Sequence, residues 1–170
     1  MAVLPIRKYG DEVLRRRTEP VTVFDAELQK LIDDMVDTMY AAPGIGLAAN
    51  QIGVSRRVAV IDLSIGKRAG ELHVLINPEI DQREGKLSED EGCLSIPDFT
   101  EGVGRPERAH VRYLDRNGDP RDLWGEGLMA RALAHEIDHL DGKLFVDHLR
   151  GFKRDRIVRK IQKLAKAGMW

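Results

Sequence analysis

The chain is poor in cysteine, in long apolar stretches and in repeats, and each shortage closes off a class of protein. A single cysteine, Cys93, excludes an internal disulfide. A lone cysteine in such a chain is either buried packing or chemistry. No apolar stretch is long enough to cross a membrane. Residues Met1 to Gly10 hold no long apolar core of a secretory signal, so a cytoplasmic location is expected. No repeat, low-complexity tract or linker divides the sequence. With 170 residues, 42% hydrophobic and 32% charged, one globular domain over 1–170 with a real core is expected.

The net charge of −1 hides a split. Residues 151–170 hold seven Lys/Arg and one acid, Asp155, which makes +6. The remaining 20 basic and 27 acidic residues give the first 150 positions −7. A basic tail on an acidic body points to a polyanionic partner. The plainer alternative is a solvated helix face.

Periodicity places the elements. Asp11–Arg17 reads as a short helix. Asp25–Ala42 reads as a longer one, because Leu28, Leu31, Ile32, Met35, Val36 and Met39 recur on one face. Asp25 can cap it and Pro43-Gly44 ends it. Arg57–Leu63, Leu72–Asn77 and Ala109–Asp115 read as strands, with Asn117-Gly118 a turn after the last. Glu126–Leu140, stopped near Gly142, and Phe152–Ala167 read as two further helices. The expectation is an α+β domain, with N-terminal and C-terminal helices and a mostly antiparallel sheet packed around the helix of residues 126–140.

The chemistry begins in that helix, at His135-Glu136-Ile137-Asp138-His139. Positions 135 and 139 lie one turn apart on one face, so two imidazoles can bind one metal ion. A Glu beside the first His can then reach a water at that ion. Chance occurrence of HExxH on a surface helix is the alternative. Leu128, Ala132 and Leu133 before the motif and Leu140 after it argue that the helix is partly buried, where two unpaired histidines would be costly.

Three ligands and an open position are needed for catalysis. Position 145, where one HExxH subclass has a third His, is Phe145, and no Glu follows Glu136. His148 is the remaining downstream His, at a spacing that fits neither pattern. Upstream stands Cys93, in Glu91-Gly92-Cys93-Leu94-Ser95-Ile96-Pro97, where Gly92 allows close backbone approach. A thiolate with two imidazoles completes the set; a small buried residue is the alternative for Cys93 in isolation. A third block, Gly44-Ile45-Gly46-Leu47-Ala48-Ala49-Asn50-Gln51, is by itself a glycine-containing turn and an apolar run. Its two glycines let backbone approach a substrate strand, and the Gln51 amide can hold an oxyanion.

GIGLAANQ, EGCLSIP and HEIDHLDG, in this order and at these separations, resemble the three signature motifs of peptide deformylases. The likeness extends from the Ile6–Leu14 opening to the C-terminal helix. It implies that Cys93, His135 and His139 hold the metal and that Glu136 is the general acid/base. Gln51 and the backbone N–H of Leu94 would stabilise the oxyanion. Ile45 and Gly46 would pair with the substrate backbone like an added strand, and Leu128 and Ala132 would help form the methionine pocket. Arg131 falls on the same stretch, where the family also has aliphatic residues. Where the family often has Gln before HExxH, this chain has Ala134, which touches no ligand. Asp138 faces away from the metal side and is expected to pair with a basic residue such as Arg105.

The implied reaction removes the N-formyl group of formyl-methionine from newly made proteins and releases formate. The resemblance implies ferrous iron (Fe2+); the ligand set also suits zinc, nickel or cobalt. Implied partners are N-formylmethionyl peptides and nascent chains, with the ribosome contacted through the basic helix of residues 151–170, and neither membrane nor DNA. Two other classes stay open. A peptidase cutting internal bonds lacks its downstream ligand here. A catalytically dead binding protein is hard to reconcile with intact Glu136 and Gln51.

Overall fold

The computed structural model describes residues 2–170. Along the chain run helix α1 (Ala26–Ala41), strands β1 (Gly46–Ala48), β2 (Val58–Ile61), β3 (His73–Glu84), β4 (Leu87–Cys93), β5 (Ile96–Arg105), β6 (Arg108–Leu114) and β7 (Pro120–Glu126), then helices α2 (Leu128–Leu140) and α3 (Phe152–Lys166). Strands β1-β2-β3-β6-β7 form one sheet in that order and β4-β5 a second; every pair of these strands is antiparallel. The α+β architecture with helices at both ends and the HExxH helix inside is as expected, with the strands divided between two sheets.

Helix α1 forms where its apolar period predicts. Asp25 Oδ1 accepts the Leu28 N–H at 3.0 Å, and the Gly44 N–H closes the far end on Met39 O at 2.8 Å. Leu28, Ile32, Met35 and Met39 are fully buried against Leu47, Val58, Val60 and Ile76. Burial of each such side chain contributes about 1.5–3 kcal/mol. Strand β2 is covered on both faces, which is why it reads as a continuous apolar run rather than an alternating one.

Helix α2 is buried almost all round: ten of its 13 residues are buried. The small side chains of Ala130, Ala132 and Ala134 let its neighbours come close, and it touches β1, β2, β6 and β7 of one sheet and β5 of the other. Helix α3 buries only Ile157 and Ile161, against Ile96, Phe145, Val146 and Leu149.

Several boundaries differ from expectation. Residues 11–17 make only a 3-10 turn, Glu12–Arg15, because the backbone is extended again at Arg16. Strand β3 runs well past Asn77, through a register shift between Ile76 and Glu79 where Asn77 adopts φ +51°. Helix α2 starts at Leu128 rather than Glu126: Glu126 pairs with Arg108 as the last residue of β7, and Gly127 turns the chain at φ +56°. Strands β4, β5 and β7 carry no clean apolar alternation. Only Glu91 of β4 is buried, and β7 is an exposed edge.

Candidate metal centre and substrate cleft

Three elements bring the sequence motifs together. Helix α2 sets His135 and His139 on one face. The β4-β5 hairpin presents Cys93 at a bulge between Gly92 and Cys93, where Leu94-Ser95 turn the corner. The 3-10 turn Ala49–Ile52 after β1 supplies Gln51. The donor atoms of Cys93, His135 and His139 lie within 4.8 Å of one another. Cys93 Sγ is 3.2 Å from His139 Nε2, and the two Nε2 atoms are 3.0 Å apart.

This donor set fits a metal ion. His135 Nδ1 lies 2.7 Å from Glu91 Oε2. A carboxylate can only accept, so Nδ1 carries a proton, and Nε2 is the nitrogen left to face the other two donors. Two Nε2 atoms at 3.0 Å share at most one proton in a metal-free site. Burial works against charge on His135, but Glu136, Cys93 and Glu91 raise it well above the usual value. Burial and the charge on His135 drive His139 well below it. A cation between the three donors would replace that shared proton. Thiolate with two imidazoles is a set used for zinc and other first-row metals.

Glu136 stands beside these donors. Its Oε1 is buried without a hydrogen-bond partner among the described residues. Burial pushes its carboxyl up to about 7, against the opposing pull of His135. Gly46 is a glycine for a reason visible here: a Cβ would run into Glu136 Oε2. Likewise a Cβ on Gly44 would lie 2.8 Å from Leu94 Cδ1. Gln51 is held at both ends of its amide. Oε1 accepts the Ala48 N–H at 3.0 Å, while Nε2 donates to Ser95 Oγ at 3.0 Å and faces Cys93 Sγ at 3.7 Å.

These groups open into a cleft of about 680 Å³ between β1 and the β4-β5 hairpin. Ile45, Gly46, Gln51, Cys93, Leu94, Leu128, Ala132, His135 and Glu136 all line it, and His139 lies behind, fully buried. Strand β1 is an edge strand with one side of its backbone free for an extended peptide; just before it, the Ile45 carbonyl already accepts the Asp62 N–H at 2.8 Å. Leu128 stands half exposed at the rim.

The sequence pairs Asp138 with Arg105 but gives no role to Glu91, the centre of the charged network behind these donors. Glu91 accepts from Arg105 Nη2 (2.6 Å), Arg105 Nε (3.0 Å) and Arg131 Nη1 (3.0 Å) as well as His135. Arg131 also donates to Val103 O and Leu87 O, so its guanidinium is spent on the hairpin. Burial opposes the charge on Glu91, but His135 and Arg105 hold it far below the usual carboxylate range. Arg105 pairs with Asp138 at 2.5 Å, as expected, and His148 takes the same carboxylate at 2.7 Å, away from the metal donors. Asn50 Nδ2 donates to His139 O at 2.5 Å. The available signal was position: Glu91 is two residues before Cys93, and Asn50 precedes Gln51.

The polypeptide deformylase family model matches residues 3–155. The chain is 52% identical over its full length to the peptide deformylase of Acidobacterium capsulatum, itself covered completely. It is 54% identical over 168 residues to that of Alkalilimnicola ehrlichii, covering 99% of this chain and 94% of the relative. A crystal structure of a peptide deformylase from Legionella pneumophila superposes with a TM-score of 0.92 at 48% identity, covering 98% of each chain.

Proposed function

Since the chain belongs to the polypeptide deformylase family, we propose that it removes the N-formyl group from the formyl-methionine of newly made proteins, releasing formate, in a metal-dependent reaction. The observation that carries this is the convergence of Cys93, His135 and His139 beside Glu136 and Gln51 at a cleft of about 680 Å³. When bound, the ion supplies Lewis acidity, making hydroxide available near neutral pH. Ferrous iron is the proposed native ion, with zinc, nickel or cobalt able to occupy the same donors.

The residues divide the remaining work. Ile45 and Gly46 bind the peptide backbone along the free edge of β1, while Leu128 and Ala132 receive the methionine side chain. Glu136 takes a proton from the attacking water and passes it to the leaving amine. Its carboxyl, raised by burial, is suited to both directions. Gln51 Nε2 and the Leu94 N–H steady the oxyanion. Ser95 Oγ and Ala48 N–H hold the Gln51 amide in place beforehand, so little reorganisation is needed. Glu91 keeps the His135 lone pair on the correct nitrogen.

The whole of 1–170 acts as one catalytic domain in this reading, in the cytoplasm where nascent chains are made. The basic face of α3 is proposed to meet the ribosome, a polyanion, with affinity that falls as salt rises. The deciding assay is formate release from formyl-methionyl peptides by anaerobically purified, metal-analysed protein. Stoichiometric iron with turnover is the expected result. Cleavage of unformylated, blocked peptides instead would make it a peptidase, and no turnover of either by loaded protein would make it a binding protein.

A further inference from the structure

Among its described residues the N-terminal segment contributes no side chain to the cleft, yet it ties two of the site's motifs together. The Arg7 N–H donates to Gln51 O at 2.6 Å, and the Tyr9 N–H donates to Ser95 O at 2.9 Å. These two amides, two residues apart on one segment, fix how far the Gln51 turn stands from the Leu94-Ser95 corner. Both groups assigned to the oxyanion, the Gln51 amide and the Leu94 N–H, are therefore carried on pieces that this segment joins.

The segment is in turn held by the far end of the chain. After α3, Gly168 at φ +70° reverses the backbone, with the Met169 N–H returning to Leu164 O at 2.8 Å. Trp170 is thereby brought onto the body. Its Nε1 donates to Tyr9 O at 2.8 Å, and its ring meets Phe99 at 6.3 Å between centroids, inclined by 59°. Lys8 Nζ lies 5.7 Å over the indole. Phe99 is on β5 and lines the cleft. One side chain thus touches both the brace between the motifs and the cleft wall.

We propose that Trp170 is a positioning residue: through Tyr9 and Phe99 it clasps the segment that sets the distance between Gln51 and Leu94. This rests on the oxyanion role given above to those two groups. An oxyanion contact is made more strongly in the transition state than with bound substrate, so loosening it should appear in kcat. Loosening Phe99 should appear in KM.

The test uses the full, metal-loaded chain with Trp170→Phe, which keeps a ring against Phe99 but loses the donor, and Trp170→Ala, which loses both. Turnover of a formyl-methionyl tripeptide and hydrogen exchange at the Arg7 and Tyr9 amides are measured together with metal content. Trp170→Phe should lower kcat by roughly threefold to tenfold, short of the ~10²-fold that a 1 Å misplacement can cost, with KM unchanged. Trp170→Ala should add a rise in KM. Both should speed exchange at Tyr9 with metal retained. Unchanged kcat in both variants overturns the proposal, as does a fall in kcat that only tracks lost metal or lost fold. If the parent itself releases no formate, the functional reading fails, while unaltered Tyr9 exchange in Trp170→Ala would remove the clasp independently.

Discussion

Helices α2 and α3 are similar in length, 13 and 15 residues, and opposite in use. Helix α2 buries ten residues, among them Arg131, His135, Glu136 and His139. Helix α3 buries two isoleucines and turns Arg159, Lys160 and Lys163 to solvent. Buried charge must be compensated, so α2 is tied to Glu91 through Arg131 and His135 and to Arg105 through Asp138, and its sequence has little freedom. Exposed charge is cheap, so the basic face of α3 can serve a partner or nothing at all without the fold noticing.

The comparison is broken most severely by Cys93→Ala. Removing one of three protein donors beside α2 should leave metal lost or weakly held, and activity with it. Metal analysis after gel filtration checks this; stoichiometric tight metal in the variant would place the third donor elsewhere. Next is Glu136→Gln, which keeps every donor and should keep the ion while losing about 10²–10⁴-fold in turnover. Near-parental formate release from that loaded variant would remove Glu136 from the mechanism.

Arg105→Met sharpens the comparison from the stability side. Arg105 is buried between Glu91 and Asp138. Breaking such a network by removing one partner costs about 3–5 kcal/mol, a Tm loss of roughly 6–20 °C for a chain this size. The pH dependence should shift as well. Glu91 has its folded carboxyl pKa depressed, so its contribution is present above the unfolded pKa and is lost as pH falls towards the folded value. Without Arg105 that depression shrinks, so the variant should have less stability to lose in acid. Denaturation at pH 7 and at about pH 2, well below an ordinary carboxylate's pKa, compares the two proteins.

The smallest effect on the enzyme and the largest on a partner are expected from one variant in α3. Reversing charge at Arg159, Lys160 and Lys163 to Glu should abolish ribosome co-sedimentation at low salt. Turnover of short formyl peptides should stay at the parental level, because the site lies in other elements. Co-sedimentation equal to the parent's would reduce this face to a solvated surface.

Much of the site was legible because its chemistry is local. HExxH places two imidazoles on one face through helical geometry alone, and α1 follows from an apolar period with an Asp cap. Strands β4, β5 and β7 were not legible, since neither the charged run Leu87–Cys93 nor the exposed edge Pro120–Glu126 has a period set by a buried face. The partners of Glu91 were equally hidden. Arg105 is 14 residues away, Arg131 is 40 and His135 is 44, and no local rule links them.

By itself, then, the sequence determined the α+β class, the HExxH helix and the three motifs, because helical period, capping and residue chemistry act over a few positions. Only the tertiary structure decided that Cys93 reaches His139, that Gly46 lies under the Glu136 carboxylate, and that Arg131 spends its charge on the hairpin rather than in the cleft. These contacts exist because two sheets close around α2. Closure is a property of the packed whole, where desolvation selects which charged groups must meet.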